Sequence, residues 1–270
     1  MKNFLVIGGS GVMGTAAIQA AREFYGKDVF IIASWFGKED LNYMVPEADY
    51  TIFGDISHTE CLDKIKSIRG DSFDHIFYAV AMGKVGFPIK DSTSEQIESS
   101  NRLSFDPLPI LESYFQTKTI VTYSTFYLLK HQVCSYGAMG FSKEKIEKWT
   151  VESNSKGRRV CIRAGLFESH SSRAIKLLLR KNARAIDNKT NPLLSSYFNG
   201  VATSEGIKNF EAGIRQEEID TYGDSPTTLE SLKEAHLTLL KSSSAKFVNV
   251  CGKKIWLTEE PLLLKDNIHY

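Results

Sequence analysis

The chain has few cysteines, no long apolar run and almost no net charge, and each shortage excludes something. Its four cysteines, Cys61, Cys134, Cys161 and Cys251, stand far apart in 270 residues. That spacing fits neither a disulfide framework nor a metal-ligand set, and it suits a reducing compartment. The six histidines are equally scattered, so no metal site is expected. The apolar run at residues 4–7 stops at Gly8, too short for the core of a signal peptide. No run approaches the roughly 20 apolar residues of a membrane span, and a soluble cytoplasmic protein with no membrane partner is the expectation. Lys and Arg number 33 against 32 Asp and Glu, a net charge of +1. A nucleic-acid binder would show a strong basic excess.

What is present is an alternation of short apolar runs and helical periods. Strands are expected at residues 4–7, 29–33, 50–53, 75–80, 119–123, 159–163 and 246–250, with a hairpin-like return at 255–257. Helices are expected at 15–25, 60–68, from about 95, at 108–115, 135–149 and 227–240, the last capped by Ser225-Pro226. This order predicts an α/β fold: one Rossmann-type, doubly wound parallel sheet of about seven strands with helices on both faces. No repeat or Pro/Gly linker divides the chain, so residues 1–270 are expected to form a single domain. Residues 188–224 read as polar and irregular, a lid or an insertion within a substrate-binding region at about 169–225.

Gly9, Gly11 and Gly14 satisfy G-x-G-x-x-G between the first strand and the first helix. The glycines permit a tight turn, close approach of backbone to a pyrophosphate and close packing of helix on strand. The loops at the strands' C-terminal ends converge on one crevice, which sets the candidate cofactor-binding residues. These are Gly8, Gly9, Ser10, Gly11, Val12, Met13 and Gly14, then Ser34 and Trp35, Asp55 and Ile56, Ala79, Val80 and Ala81, and finally Ala164, Gly165, Leu166 and Ser169. A site choosing NAD usually places an acid about 20 residues past the glycines to hold the ribose 2′-OH. Here Ala33-Ser34-Trp35 ends the strand and no carboxylate appears before Glu39. Ser34 can donate to a 2′-phosphate and Lys38 is within reach, so NADP(H) is favoured over NAD(H).

Tyr136 precedes Lys143 by seven residues. On one continuous helix that spacing puts both side chains on nearly the same face. An ammonium beside a phenol lowers the phenol's pKa from about 10. A packed ring beside a solvated lysine is the plainer alternative.

With the glycine turn, Gly54-Asp55-Ile56 and the strand ending Tyr123-Ser124-Thr125 in that order, the chain resembles a short-chain dehydrogenase/reductase over nearly its whole length. The commoner family pattern has a tyrosine four residues before the lysine, where this chain has Met139. Tyr136-Gly-Ala-Met-Gly-Phe-Ser-Lys143, with Ala164-Gly165 and Ser169, instead resembles the enoyl-acyl-carrier-protein reductase branch. That branch usually carries a second tyrosine directly after a small hydroxyl residue; here Phe126 follows Thr125, and Tyr127 comes one place late. The resemblance implies hydride transfer to an enoyl thioester, with Tyr136 stabilising the enolate and Lys143 holding the nicotinamide ribose. Thr125 or Ser124 would orient substrate or water, and the backbone of Asn101 would hold a water beside the lysine. A polar helix-surface asparagine is the even alternative for Asn101. A homodimer or homotetramer is the assembly implied. Reduction of a ketone or aldehyde is the second reading of function, and a non-catalytic dinucleotide-binding regulator the third.

Residues 169–186 carry five basic residues and no acid. Arg173, Lys176, Arg180 and Arg184 form a stripe at helical spacing. A solvated face is the favoured reading, with docking of an acidic acyl carrier protein or coenzyme A phosphates as the sharper one.

Overall fold

The computed structural model of the protein describes residues 1–36, 43–183, 186 and 188–264. In chain order the elements are β1 (Lys2–Ile7), α1 (Val12–Tyr25), β2 (Val29–Trp35), β3 (Tyr50–Phe53), α2 (Thr59–Arg69), β4 (Ser72–Tyr78), α3 (Ser94–Ser104), α4 (Pro107–Tyr114), β5 (Gln116–Thr125), α5 (Lys130–Val133), α6 (Met139–Val151), β6 (Arg158–Ala164), α7 (His170–Asn182), α8 (Pro192–Ser196), α9 (Thr203–Tyr222), α10 (Leu229–Lys241), β7 (Phe247–Cys251) and β8 (Lys254–Thr258). The strands form one sheet in the order β3-β2-β1-β4-β5-β6-β7-β8. Adjacent strands run parallel from β3 to β7, and β8 returns antiparallel along β7. This is the Rossmann-type arrangement, in which the strand order reverses between β1 and β4.

β1 shows why the strands are apolar runs rather than alternating ones. Phe4 and Val6 face the layer made by α1 and α10, with Ala16, Ala17, Leu232, Ala235 and Leu239. Leu5 and Ile7 face the other layer, with Leu62 and Ile65 of α2, Leu108 and Leu111 of α4, and Ile146 and Trp149 of α6. Both faces are covered, so Phe4, Leu5, Val6 and Ile7 are all buried. Each large side chain buried this way contributes about 1.5–3 kcal/mol.

Three expectations need correction. Residues 188–224 are not irregular: α8 and the 20-residue α9 lie there. Ile207, Phe210, Ile214 and Glu218 form the buried face of α9, a helical period that Gly206 and Gly213 obscure. Both glycines serve close approach, because a Cβ at Gly206 would lie 2.6 Å from the Phe198 ring and one at Gly213 would overlap Tyr197. α10 is capped by Thr228, whose hydroxyl accepts from the Ser231 amide at 3.1 Å, not by Ser225-Pro226. The helix expected from residue 135 begins at Met139, so Tyr136 lies outside it. Among the described residues no helix is long and apolar enough to cross a membrane.

Gly14 sits inside α1 where the helix meets the glycine turn, and a Cβ there would lie 2.6 Å from Gly9 Cα. Backbone cannot yield as a side chain can. Gly14→Ala is expected to lower stability by roughly 1–3 kcal/mol, the scale of an overpacked site. Urea denaturation checks this, and an unchanged midpoint would show that helix and turn separate freely.

Candidate active site

The C-terminal ends of β1, β2, β4, β5 and β6 open on a cavity of about 490 Å³. At the β2 end it is lined by Ser34, Trp35, Asp55 and Ile56, at the centre by Gly8, Ser10, Gly11, Val12 and Met13, with Ala79, Val80 and Ala81 beside them. At the far end stand Ser124, Thr125, Tyr136 and Lys143, with Gly165, Leu166 and Ser169. Gly9, Gly14, Ala164 and Asn101 do not line it. Gly9 is pressed on β2, where a Cβ would come within 2.8 Å of the Ala33 Cβ. Lys38 and Glu39 lie outside the described residues, as does Arg184.

The turn is held by one carbonyl. Ser34 O accepts from the Gly8 amide at 3.0 Å and the Gly9 amide at 2.9 Å, tying the turn to the end of β2. Gly8 has φ +80°, and a Cβ there would lie 2.8 Å from Ala79 O. Gly11 caps α1 without a side-chain hydrogen bond, and the first turn of the helix carries no acid. Its first amides therefore remain unpaired donors at the positive end of the helix dipole. An uncapped, acid-free helix start against a cavity fits a dinucleotide pyrophosphate. At Asp55, burial alone would raise the pKa; the Ser57 hydroxyl and amide, with His58 and Arg102, outweigh it and hold the carboxylate below its ordinary range.

Tyr136 is positioned by backbone, not by a helix. Its amide donates to Gln132 O at 2.8 Å, Gly86 donates to Ser135 O at 2.7 Å, and Gly137 donates to Phe87 O at 2.9 Å. These bonds clamp the tyrosine between α5 and the segment after β4. Gly137 takes φ +50°, and a Cβ there would lie 2.5 Å from Lys84 O. The Tyr136 hydroxyl has no hydrogen-bond partner among the described residues. Lys143, in the second turn of α6, donates to Tyr123 O at 2.8 Å.

The two groups are shifted in opposite directions. Burial pushes the Tyr136 phenol up. Burial also lowers Lys143 to about 8, against the opposing charges of Cys161 and Glu147. The expected tuning of the phenol by the lysine is therefore not present here: desolvation is its one cause of shift. Tyr136 is a neutral donor across the working pH range, and Lys143 is the group that titrates within it.

The strand-end hydroxyls are both engaged. Ser124 Oγ donates to Glu147 Oε1 at 2.6 Å, and Thr125 Oγ1 donates to Ala164 O at 2.8 Å. Asn101 accepts from Ser142 Oγ at 2.8 Å, and its carbonyl accepts from the Phe105 and Asp106 amides at 2.8 and 2.9 Å. That carbonyl closes the end of α3. Phe126 stacks on Trp256 at 5.6 Å, and Tyr127 is fully buried with its hydroxyl on Leu262 O. Neither supplies the second tyrosine of the resembling branch. The basic stripe also divides: Lys176 is bound to Glu168 at 2.9 Å and Glu211 at 2.8 Å, leaving Arg173 at the cavity mouth and Arg180 exposed.

The remaining wall was missed by sequence reasoning. Ile207, Phe210 and Ile214 of α9 line the cavity beside Ile175 and Leu179 of α7, with Leu179, Phe210 and Ile214 packed in one cluster. Their i, i+3, i+7 spacing is the signal that would have located them.

No protein-family model matches the chain, and no curated protein does. Solved structures do. A short-chain dehydrogenase family protein from Francisella tularensis aligns at a TM-score of 0.62 and 19% identity, over 93% of this chain and 98% of that one. The fold is that of the short-chain dehydrogenases. An NAD+-bound xylitol dehydrogenase aligns at 0.60 and 14% identity, over 88% and 92% of the two chains. A small-chain dehydrogenase in complex with NADPH aligns at 0.58 and 13%, over 93% and 97%.

A charge that sits near pH 8 sets a pH dependence. Below about 8 Lys143 is an ammonium; above it the charge is lost. A reaction needing that ammonium should lose kcat/KM about tenfold per pH unit above 8, since kcat/KM reports groups of the free enzyme. Stability should move the other way. The folded pKa lies below the ordinary 10.5 of a lysine, so the cost of burying the charge is relieved as pH rises from about 8 toward 10.5. A kcat/KM flat to pH 10 would remove the Lys143 charge from the mechanism.

Proposed function

We propose that the protein is a reductase using a reduced nicotinamide dinucleotide, and that it reduces the C=C bond of an enoyl thioester. The observation that carries this reading is the unpartnered Tyr136 hydroxyl, facing the same cavity as the buried Lys143 ammonium and the uncapped glycine turn. The first amides of α1 would hold the pyrophosphate, Ser34 and Asp55 the adenosine side, and Lys143 the nicotinamide ribose. Bound there, the cofactor supplies a hydride. NADP(H) remains favoured, because β2 ends in Ser34 and Trp35 and carries no carboxylate of its own.

The chain's own residues then act on the oxygen. Addition of hydride to the β-carbon leaves an enolate with negative charge on the thioester oxygen, and uptake of a solvent proton at the α-carbon completes the saturated thioester. Tyr136 donates a hydrogen bond to that oxygen, an interaction strongest in the transition state. Lys143 keeps the local potential positive. Ser124 and Thr125 add no second donor, since both hydroxyl protons are committed elsewhere. Met139 occupies the position of the commoner family tyrosine, and it is packed in the α3–α6 interface with its sulfur accepting from Ser100 Oγ at 3.3 Å. A single hydroxyl donor suits a delocalised enolate better than a localised alkoxide. This supports C=C over C=O reduction. The wall of Leu166, Ile175, Leu179, Ile207, Phe210 and Ile214 suits an acyl chain.

Oxidation of NADPH and NADH with crotonyl-CoA, against a panel of ketones and aldehydes, tests the reading. Turnover with crotonyl-CoA is expected. Turnover of ketones alone would select carbonyl reduction, and cofactor binding without turnover would leave a dinucleotide-binding regulator. Tyr136→Phe is expected to keep cofactor affinity and to lower kcat at least about tenfold, the low end for a positioned acid–base group. Unchanged kcat would exclude Tyr136.

A further inference from the structure

Glu147 lies one turn beyond Lys143 on α6 and is completely buried. Four donors converge on it. Oε1 accepts from Ser124 Oγ at 2.6 Å and Arg163 Nε at 3.0 Å; Oε2 accepts from Arg163 Nη2 at 2.7 Å and the Leu262 amide at 2.6 Å. Arg163 is just as fully engaged. Its Nη1 donates to Asn249 Oδ1 at 3.2 Å and Thr258 Oγ1 at 3.0 Å, and its Nη2 donates also to Glu260 O at 2.6 Å. All five guanidinium protons are used. A buried ion pair is tolerated only when its remaining hydrogen-bonding capacity is met, and here the C-terminal segment meets it with backbone. The same segment is fixed at two further points: Tyr127 donates to Leu262 O, and the Leu264 amide donates to Glu144 Oε1 at 2.7 Å.

A structural ion pair does not need a cavity hydroxyl, yet Ser124 is part of this one. A hydroxyl has one proton. Its competing acceptor, Thr125 O, lies 3.4 Å away, against 2.6 Å for a carboxylate. The charged, shorter bond wins. The proton therefore points to Glu147, and only lone pairs of Ser124 are left for the cavity.

We propose that Glu147 is a positioning residue of the reactive end, and that residues 260–262 form the strap that completes it. Together they turn the Ser124 proton away from the cavity, so Ser124 meets a bound ligand only as a hydrogen-bond acceptor, matched to an O–H or N–H group. This rests on the reading of the cavity as a reductase site. The strap is then part of the active-site machinery although none of it lines the cavity.

Proline substitutions test the strap one amide at a time. Leu262→Pro removes the donor to Glu147, while Leu264→Pro removes the neighbouring donor to Glu144 and serves as the control for tail loosening. Leu262→Pro is expected to lower kcat about three- to tenfold, the scale of a misplaced group, with KM for the reduced cofactor within about twofold. Leu264→Pro should leave kcat within about twofold at a comparable Tm. On a Ser124→Ala background the Leu262→Pro loss should vanish, because both changes act through one hydroxyl. Equal losses in the two proline variants, or losses that multiply with Ser124→Ala, would overturn the proposal.

A second measurement needs no turnover. A hydroxyl proton held by a buried carboxylate exchanges slowly and gives a resolved proton resonance. That resonance is expected in the wild-type protein and absent from Ser124→Ala. Its absence from the wild type would overturn the proposal whatever the activity. Absence of turnover together with presence of the resonance would count against the reductase reading alone.

Discussion

The buried pair Glu147–Arg163 is the interaction on which the reactive end depends. Moving two charges out of water costs several kcal/mol per ion, and mutual attraction does not offset this unless the surrounding hydrogen bonds are complete. Here they are. The pair draws one partner from β5, one from β7, one from β8 and two backbone groups from the chain beyond β8. Elements far apart in sequence thus have to be in register before the pair is satisfied. Lys143 and Ser124 inherit that precision, one as a neighbour on the same helix and the other as a direct donor.

The opposite end of the cavity is built by a different constraint, steric rather than electrostatic. The turn after β1 must pass beneath β2 and β4 and then start a helix, with Ser34 O gathering two of its amides. Gly8 fits against Ala79 O, Gly9 against Ala33 and Gly14 against Gly9, and a side chain at any of them would collide with backbone or β2. Only Gly11 has ordinary room, with its nearest contact at 3.4 Å. Its smallness instead leaves the start of α1 open to the cavity. The motif glycines thus divide into three packing residues and one with room around it at the start of α1.

The sheet was legible because burial on both faces leaves uninterrupted apolar runs, which stand out between glycines and charged helices. Much of the cavity lining was legible for a related reason: its residues lie in loops fixed by strand ends, and strand ends can be read. Two things were not. α9 hides its period behind Gly206 and Gly213, which make room for Tyr197 and Phe198 and so report on a contact the sequence does not display. Tyr136 was placed on a helix because the periodicity of residues 139–149 extends backward without a visible break. The break is Gly137, which takes a left-handed φ and has no Cβ to strike Lys84 O, a carbonyl some fifty residues earlier that accepts from the Ala138 amide. Long-range packing chose the conformation, and local pattern could not reveal it.

That displacement from the helix changes what the tyrosine and lysine can do for each other. A phenol lowered by a neighbouring ammonium would be poised to accept a proton as readily as to give one. Here desolvation acts on both, raising Tyr136 and lowering Lys143, so the proton stays on the phenol while the ammonium is held only weakly. Such a pair favours donation toward a developing negative oxygen, the direction of reduction. It also assigns the sensitivity to pH to the lysine rather than the tyrosine. Glu147, which opposes the loss of charge at Lys143, then links the strap, the ion pair and the reactive end in one electrostatic unit.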